Sequence, residues 1–229
     1  MKIKRMPRNG FPSIYNRNVW IKAMSHLSRQ DNVMRLLIKD LGVIKVTWGG
    51  DSYESLISAI IYQQISGSAG DSIEKRFKAL YKGKMPSPKK FIETPEKKVR
   101  KAGISPQKYS YLKDLCTRII DGRLEMNKFS AMKDEDIIEE LDEVRGIGRW
   151  TAEMFLMFSL GRTNIVPRDD LGIKKAIKKM YNLNDYPTNS KFSELAEKWA
   201  PYGTVASLYL WRSTDIKTPE KTKTPEKAN

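Results

Sequence analysis

Apolar residues recur at helical spacing in run after run along this chain, and almost nowhere at the two-residue spacing of a strand. Leu56, Ile57, Ile60, Ile61 and Ile65 follow Asp51, whose side chain precedes Glu54 by three residues as in a capping box. Residues 108–120 place Tyr109, Leu112, Leu115, Cys116 and Ile119 on one side and stop at Asp121-Gly122. Residues 134–144 carry Ile137, Ile138, Leu141 and Val144, and 151–160 are rich in Phe, Met and Leu. Three more apolar runs fall at 174–180, 190–199 and 204–211, whereas only 43–48 alternates like a strand. Such a chain buries its apolar faces by packing helix on helix, so the pattern predicts an all-α fold with loops at 82–88 and 186–188. No change of composition separates two independent domains, and two helical lobes of one unit are expected.

The rarest residues narrow the chemistry. One cysteine, Cys116, allows neither an internal disulfide nor a four-cysteine zinc or iron–sulfur site, and a reducing, cytoplasmic setting is the default. One histidine, His26, lies in an amphipathic stretch and reads as a surface side chain, which argues against metal triads and His relays. Four basic residues precede any apolar run at the N-terminus, and no segment approaches the roughly 18 apolar residues that span a bilayer, so neither an export nor a membrane signal is expected.

Charge supplies the first hint of a partner. With 42 Lys and Arg against 27 Asp and Glu, the 229 residues carry +15 at pH 7. Residues 214–229 repeat Lys-Thr-Pro-Glu-Lys and read as a disordered polar tail, yet their four Lys and three acidic residues account for only +1, leaving +14 to the body. A polyanion is the leading partner and a lysine-rich solvated surface the plain alternative. Both uses stay open for the two basic clusters, 82–101 with eight Lys and Arg, and Lys174, Lys175, Lys178 and Lys179.

The most informative stretch runs from Leu141 to Ala152, where two amphipathic segments are joined by Gly146-Ile147-Gly148. Paired glycines permit a tight turn with positive φ while Ile147 plugs the space between helices. Backbone N–H groups at the start of the second helix, with its dipole, then form a site for one phosphate. An acidic pair, Asp169-Asp170, follows Pro167 just before another helix; taken alone, an Asp there is most often an N-cap.

Taken together, these motifs resemble the helix-hairpin-helix (HhH-GPD) DNA glycosylases, and most closely their 3-methyladenine DNA glycosylase II branch. The likeness spans most of residues 20–212. Tyr62-Gln63-Gln64-Ile65-Ser66 looks like the family's duplex wedge, Met85-Pro86-Ser87-Pro88 through Gly103-Ile104-Ser105-Pro106-Gln107-Lys108 like its linker, and Trp199-Ala200-Pro201-Tyr202 through Tyr209-Leu210-Trp211 like its closing helix. Two departures stand out: the chain has no room for the N-terminal β-rich domain of larger bacterial members, and Gly203 stands where many relatives have Arg.

The resemblance implies one lobe from residues 1–50 and 155–213 and a central lobe from 51–154, with the hairpin unit at about 134–160 and the active site in the cleft between them. It implies Asp170 as the catalytic carboxylate, with Asp169 the better cap. Trp150 and Trp211 become walls of a base pocket, with Tyr62 and Met154 as weaker candidates and core packing the more usual job for Met154. Gln63, Gln64, Ile65, Ser66, Gly146, Ile147, Gly148, Arg149 and Thr151 become DNA contacts. Bifunctional relatives place a Schiff-base Lys where this chain has Trp150, which forms no imine. The implied activity is therefore monofunctional base release from double-stranded DNA containing damaged bases, with alkylated purines as substrates. No catalytic metal, cofactor or iron–sulfur cluster is expected, while a structural monovalent cation at the hairpin stays open. The protein is expected to be a monomer, cytoplasmic and nucleoid-associated, or nuclear in a eukaryote. A glycosylase for uracil or hypoxanthine, and a non-catalytic DNA-binding module, are the rivals.

Overall fold

The computed structural model describes residues 17–44 and 52–214, and among these every regular element is a helix. The Asp51 cap, the N-terminal basic residues, most of the alternating 43–48 stretch and the tail after Thr214 lie outside the described residues; Val43 and Ile44, which are described, form no strand.

Helix α1 (Arg17–Gln30) packs on α2 (Asn32–Leu41), α11 (Asn189–Trp199) and α12 (Gly203–Ser213), and α2 and α10 (Leu171–Met180) pack on α12. Asp31 joins this group. One of its oxygens caps α2 through the Val33 and Met34 N–H groups, and the other accepts the Tyr181 hydroxyl at 2.5 Å and the Trp199 indole N–H at 3.1 Å. A buried carboxylate survives because every donor around it is aimed at it.

The middle of the chain forms a second set of contacts. Helix α3 (Ser52–Tyr62) packs on α4 (Gly67–Ala79), α7 (Pro106–Ile120) and α9 (Arg149–Phe155); α5 (Pro88–Ile92) and α6 (Glu96–Lys101) lie on α7, and α8 (Asp134–Asp142) on α9. Leu56, Ile57, Ile60 and Ile61 of α3 are wholly buried, each contributing about 1.5–3 kcal/mol. Ser87-Pro88 and Ser105-Pro106 start α5 and α7 in the same way, with the serine side chain accepting an amide and proline at the first helical position.

Some expectations from periodicity need correction. Ile65 is not on the buried face of α3, which ends at Tyr62; it is exposed in the turn that follows. The single helix expected over 151–160 changes at Leu156 into a π turn, closed by Gly161 with φ 70°. His26 is not a free surface residue: it is half-buried, packs edge-on against Tyr202 at 5.4 Å, and so touches the Trp199–Tyr202 motif. The basic stretch 82–101 holds two short helices anchored by buried Phe91 and Val99, and its eight Lys and Arg all point to solvent. Among the described residues no helix is long and apolar enough to cross a membrane.

Candidate active site

The hairpin closes on a tyrosine. Gly146 has φ 82°, and a Cβ there would lie 2.1 Å from the Tyr111 ring, so no side chain fits. Ile147 is buried as expected, with its N–H bound to Val144 O at 3.0 Å. Gly148 departs from expectation: its φ is −95°, so only the first glycine needs the left-handed region. Gly148 starts α9 with no side chain capping it, which leaves first-turn amides without intrahelical partners.

The segment expected to act as a wedge is fastened to this hairpin. Gln63 donates from Nε2 to Gly146 O at 2.6 Å, and Lys108 donates from Nζ to Ile61 O at 2.7 Å at the end of α3. Burial lowers the pKa of Lys108. Gln64 has φ 56° and is exposed, Ile65 is exposed beside it, and Ser66 caps α4 by accepting the Ala69 amide. Gln63 is thus held by protein, while Gln64 and Ile65 face outward. Arg149 is also engaged, forming a two-pronged pair with Glu135 of α8 (2.8 Å for one prong) and a 3.3 Å contact with Glu153. Thr151 is half-buried.

Asp170 is the centre of the second cluster. It is the N-cap of α10, with Oδ1 accepting the Ile173 amide at 2.8 Å, so the cap assigned to Asp169 belongs to Asp170. The cap falls here because Asp170 has extended backbone and the helix begins at Leu171, putting the Ile173 N–H within reach. Asp169 instead extends into solvent and pairs with Lys174 at 3.1 Å. The Trp211 indole N–H donates to Asp170 Oδ1 and that of Trp150 to Oδ2, both at 2.9 Å. The expected pocket walls therefore meet the expected catalytic carboxylate, through ring edges. One face of Trp211 is stacked on Phe158, at 6.3 Å and 21°.

The weaker pocket candidates lie differently. Tyr62 rests on Gly70, where a Cβ would meet its ring at 2.4 Å, and its hydroxyl donates to Asp71 at 2.7 Å. Met154 is half-buried against the core. Sequence reasoning missed Phe158, Gly172 and Glu153. Glu153 follows Arg149 by four residues, a spacing that could have flagged the pair. It is buried, and burial pushes its carboxyl up to about 7, opposed by Arg149 and assisted by Asp169. Among the described residues no group of three or more His, Cys, Asp and Glu is placed to hold a metal ion.

A family model described as HhH-GPD superfamily base excision DNA repair protein matches residues 57–202. The chain is 32% identical over 211 residues to DNA-3-methyladenine glycosylase 1 of Schizosaccharomyces pombe, covering 90% of this chain and 92% of that protein. Among solved structures, a DNA-3-methyladenine glycosidase from Bacillus halodurans superposes with a TM-score of 0.78 at 31% identity, covering 83% of this chain and 88% of that one. The Schizosaccharomyces pombe 3-methyladenine DNA glycosylase Mag1, in complex with abasic DNA, gives 0.74 at 32% identity, covering 85% and 97%.

Proposed function

This chain belongs to the HhH-GPD superfamily of base excision DNA repair proteins, and on that footing we propose that it is a monofunctional DNA glycosylase for alkylated purines such as 3-methyladenine and 7-methylguanine. The observation that carries the reading is the meeting of Trp150, Trp211 and the Asp170 carboxylate at the start of α10. A pure DNA-binding module has no use for a carboxylate held this way, since it would repel phosphate.

The chemistry follows from the substrate. Cleaving an N-glycosidic bond in a duplex requires the nucleotide to leave the stack, and the sugar then passes through an oxocarbenium-like state that a fixed carboxylate stabilises. Asp170 supplies that charge, and water adds at the sugar carbon as the base departs with the bonding electrons. Trp150 occupies the position of the imine-forming lysine of bifunctional relatives, so the product is an intact abasic strand. A base alkylated on a ring nitrogen is cationic, already a good leaving group, and attracted to an indole face by about 0.5–2 kcal/mol. This fits a site in which no general acid has been assigned.

The binding roles divide accordingly. The amides at the start of α9 take one backbone phosphate, Gln64 and Ile65 enter the vacated stack, and Gln63 serves the hairpin. The two sets of packed helices act as two lobes, described over residues 17–44 with 155–213 and over 52–154, with the substrate cleft between them, and the enzyme works as a monomer without a cofactor. The test is base release from matched duplexes carrying 3-methyladenine, 7-methylguanine, uracil or hypoxanthine. Release of the alkylated purines by the wild type, lost in Asp170→Asn, is expected. A preference for uracil or hypoxanthine, or wild-type release by Asp170→Asn, would overturn the reading.

A further inference from the structure

Resting on Asp170 as the catalytic carboxylate, we infer that Trp150 and Trp211 are positioning residues that act through their indole N–H groups, aiming the carboxylate, in addition to any face they offer the base. Each indole takes a different oxygen, at 2.9 Å. The third donor is the Ile173 amide on Oδ1 at 2.8 Å. An indole nitrogen donates and never accepts, so each Trp commits its only hydrogen-bonding group to this carboxylate. With two donors on Oδ1 and one on Oδ2, the carboxylate's open acceptor site lies on Oδ2, the oxygen held by Trp150.

The surroundings are shaped for this contact. At Gly172 a Cβ would sit 2.9 Å from Asp170 Oδ1, 3.2 Å from Trp211 Cδ1 and 3.3 Å from Trp211 Nε1. A side chain at 172 would thus push between the carboxylate and the indole that holds it. Phe158 stacks on Trp211 and fixes the plane of that indole. Because α9, α10 and α12 each supply one donor, the carboxylate cannot rotate without breaking a bond to one of three helices. Hydrogen bonds to an ionised acceptor are about twice as strong as neutral ones, so these three define one rotamer. A ring serving only as a stacking wall would have no need to aim its N–H at the carboxylate.

Trp→Phe at 150 or 211 keeps an aromatic face and deletes the donor. For 3-methyladenine duplex under single-turnover and steady-state conditions, kcat should fall about tenfold in each variant with KM within about twofold, the worth of one charge-assisted hydrogen bond. A role confined to stacking predicts the opposite split, a raised KM with kcat held. A second readout needs no activity. In the proton–nitrogen spectrum of the full-length protein, the indole signals of Trp150 and Trp211, assigned by their loss in the two variants, should both shift in Asp170→Asn, while the other indole signals stay in place. Asn keeps the cap oxygen, so the comparison is made on folded protein. Unmoved Trp150 and Trp211 signals, or a KM-only effect, would overturn the positioning role. Wild-type base release by Asp170→Asn would instead sink the catalytic assignment beneath it.

Discussion

Replacing Asp170 by Ala should separate its structural contribution from its chemistry when set beside Asp170→Asn. Alanine removes the acceptor for the Ile173 amide, and loss of an N-cap costs about 1 kcal/mol. It also strands two indole N–H groups. Trp150 is 38% exposed and rehydrates at little cost, but Trp211 is half-buried, and losing its acceptor adds about 1 kcal/mol. The sum is roughly 2 kcal/mol, a fall in Tm of about 4–8 °C for a chain of this size. Asparagine keeps an oxygen for the Ile173 amide and for Trp211 and offends only exposed Trp150, so its cost should stay under about 1 kcal/mol. Urea or thermal denaturation followed by circular dichroism reads both, and base release should be lost in both. Equal stability of the Ala and Asn variants would refute the cap. An active Asn variant would refute the catalytic role while leaving the cap intact.

Other consequences can be measured separately. Burial raises the Glu153 carboxyl from 4.5 to about 7, so the native state keeps its proton after the unfolded chain has shed it. This group's contribution is full below about pH 4.5 and fades as pH rises through 7, by at most about 3 kcal/mol; Glu153→Gln should flatten that slope, and an unchanged profile would contradict it. Cys116 is wholly buried, and burial pushes its thiol up to about 11, so a thiol-specific chromophore should label the protein only in denaturant; rapid labelling of the native chain would show otherwise. Gly146→Ala places a methyl against Tyr111 at φ 82° and should cost about 1–3 kcal/mol and weaken duplex binding; Gly148→Ala, whose methyl would meet only Asp142 Oδ1 at an ordinary 3.9 Å and whose φ is −95°, should be milder in stability, and the reverse order would mislocate the tight turn.

The helices read from periodicity, α3 and α7 among them, were legible because periodicity and burial are one fact seen twice; α1 and α2 were not read as helices. The four α3 residues at helical spacing are all wholly buried, and the face of α7 read from Leu112, Leu115 and Cys116 is inside. Helix α4 was not legible. Gly67 and Gly70 weaken its propensity, and Gly70 exists to admit the Tyr62 ring, a contact no local pattern announces. Short α5 and α6 hide in a basic run because each buries only one large side chain. The site was legible mainly through resemblance: the structure brings Trp150, Trp211 and Asp170 of that set together, while their hydrogen bonds were not foreseeable. Trp211 reaches Asp170 across 41 positions and Gln63 reaches Gly146 across 83. Such partnerships are tertiary, and a sequence gives only the donor and the acceptor.

The division of labour between Asp169 and Asp170 failed for a more instructive reason. Cap and catalyst were treated as competing jobs for neighbouring residues, yet under the proposed function the cap is what would make Asp170 a usable catalyst. Capping fixes the side chain at the positive end of the α10 dipole, which favours a negative charge there. The two indoles then fix its remaining rotation. Asp169, free in solvent with Lys174, has neither constraint and would spend most of its time misaimed. The same logic joins the two elements proposed to face DNA. With Gln63 bonded to the Gly146 carbonyl, the turn bearing Gln64 and Ile65 keeps a fixed distance from the amides that start α9. On the proposed reading, a wedge and a phosphate grip tied in this way would enforce one geometry on the duplex and direct strain on the damaged nucleotide to the carboxylate of Asp170.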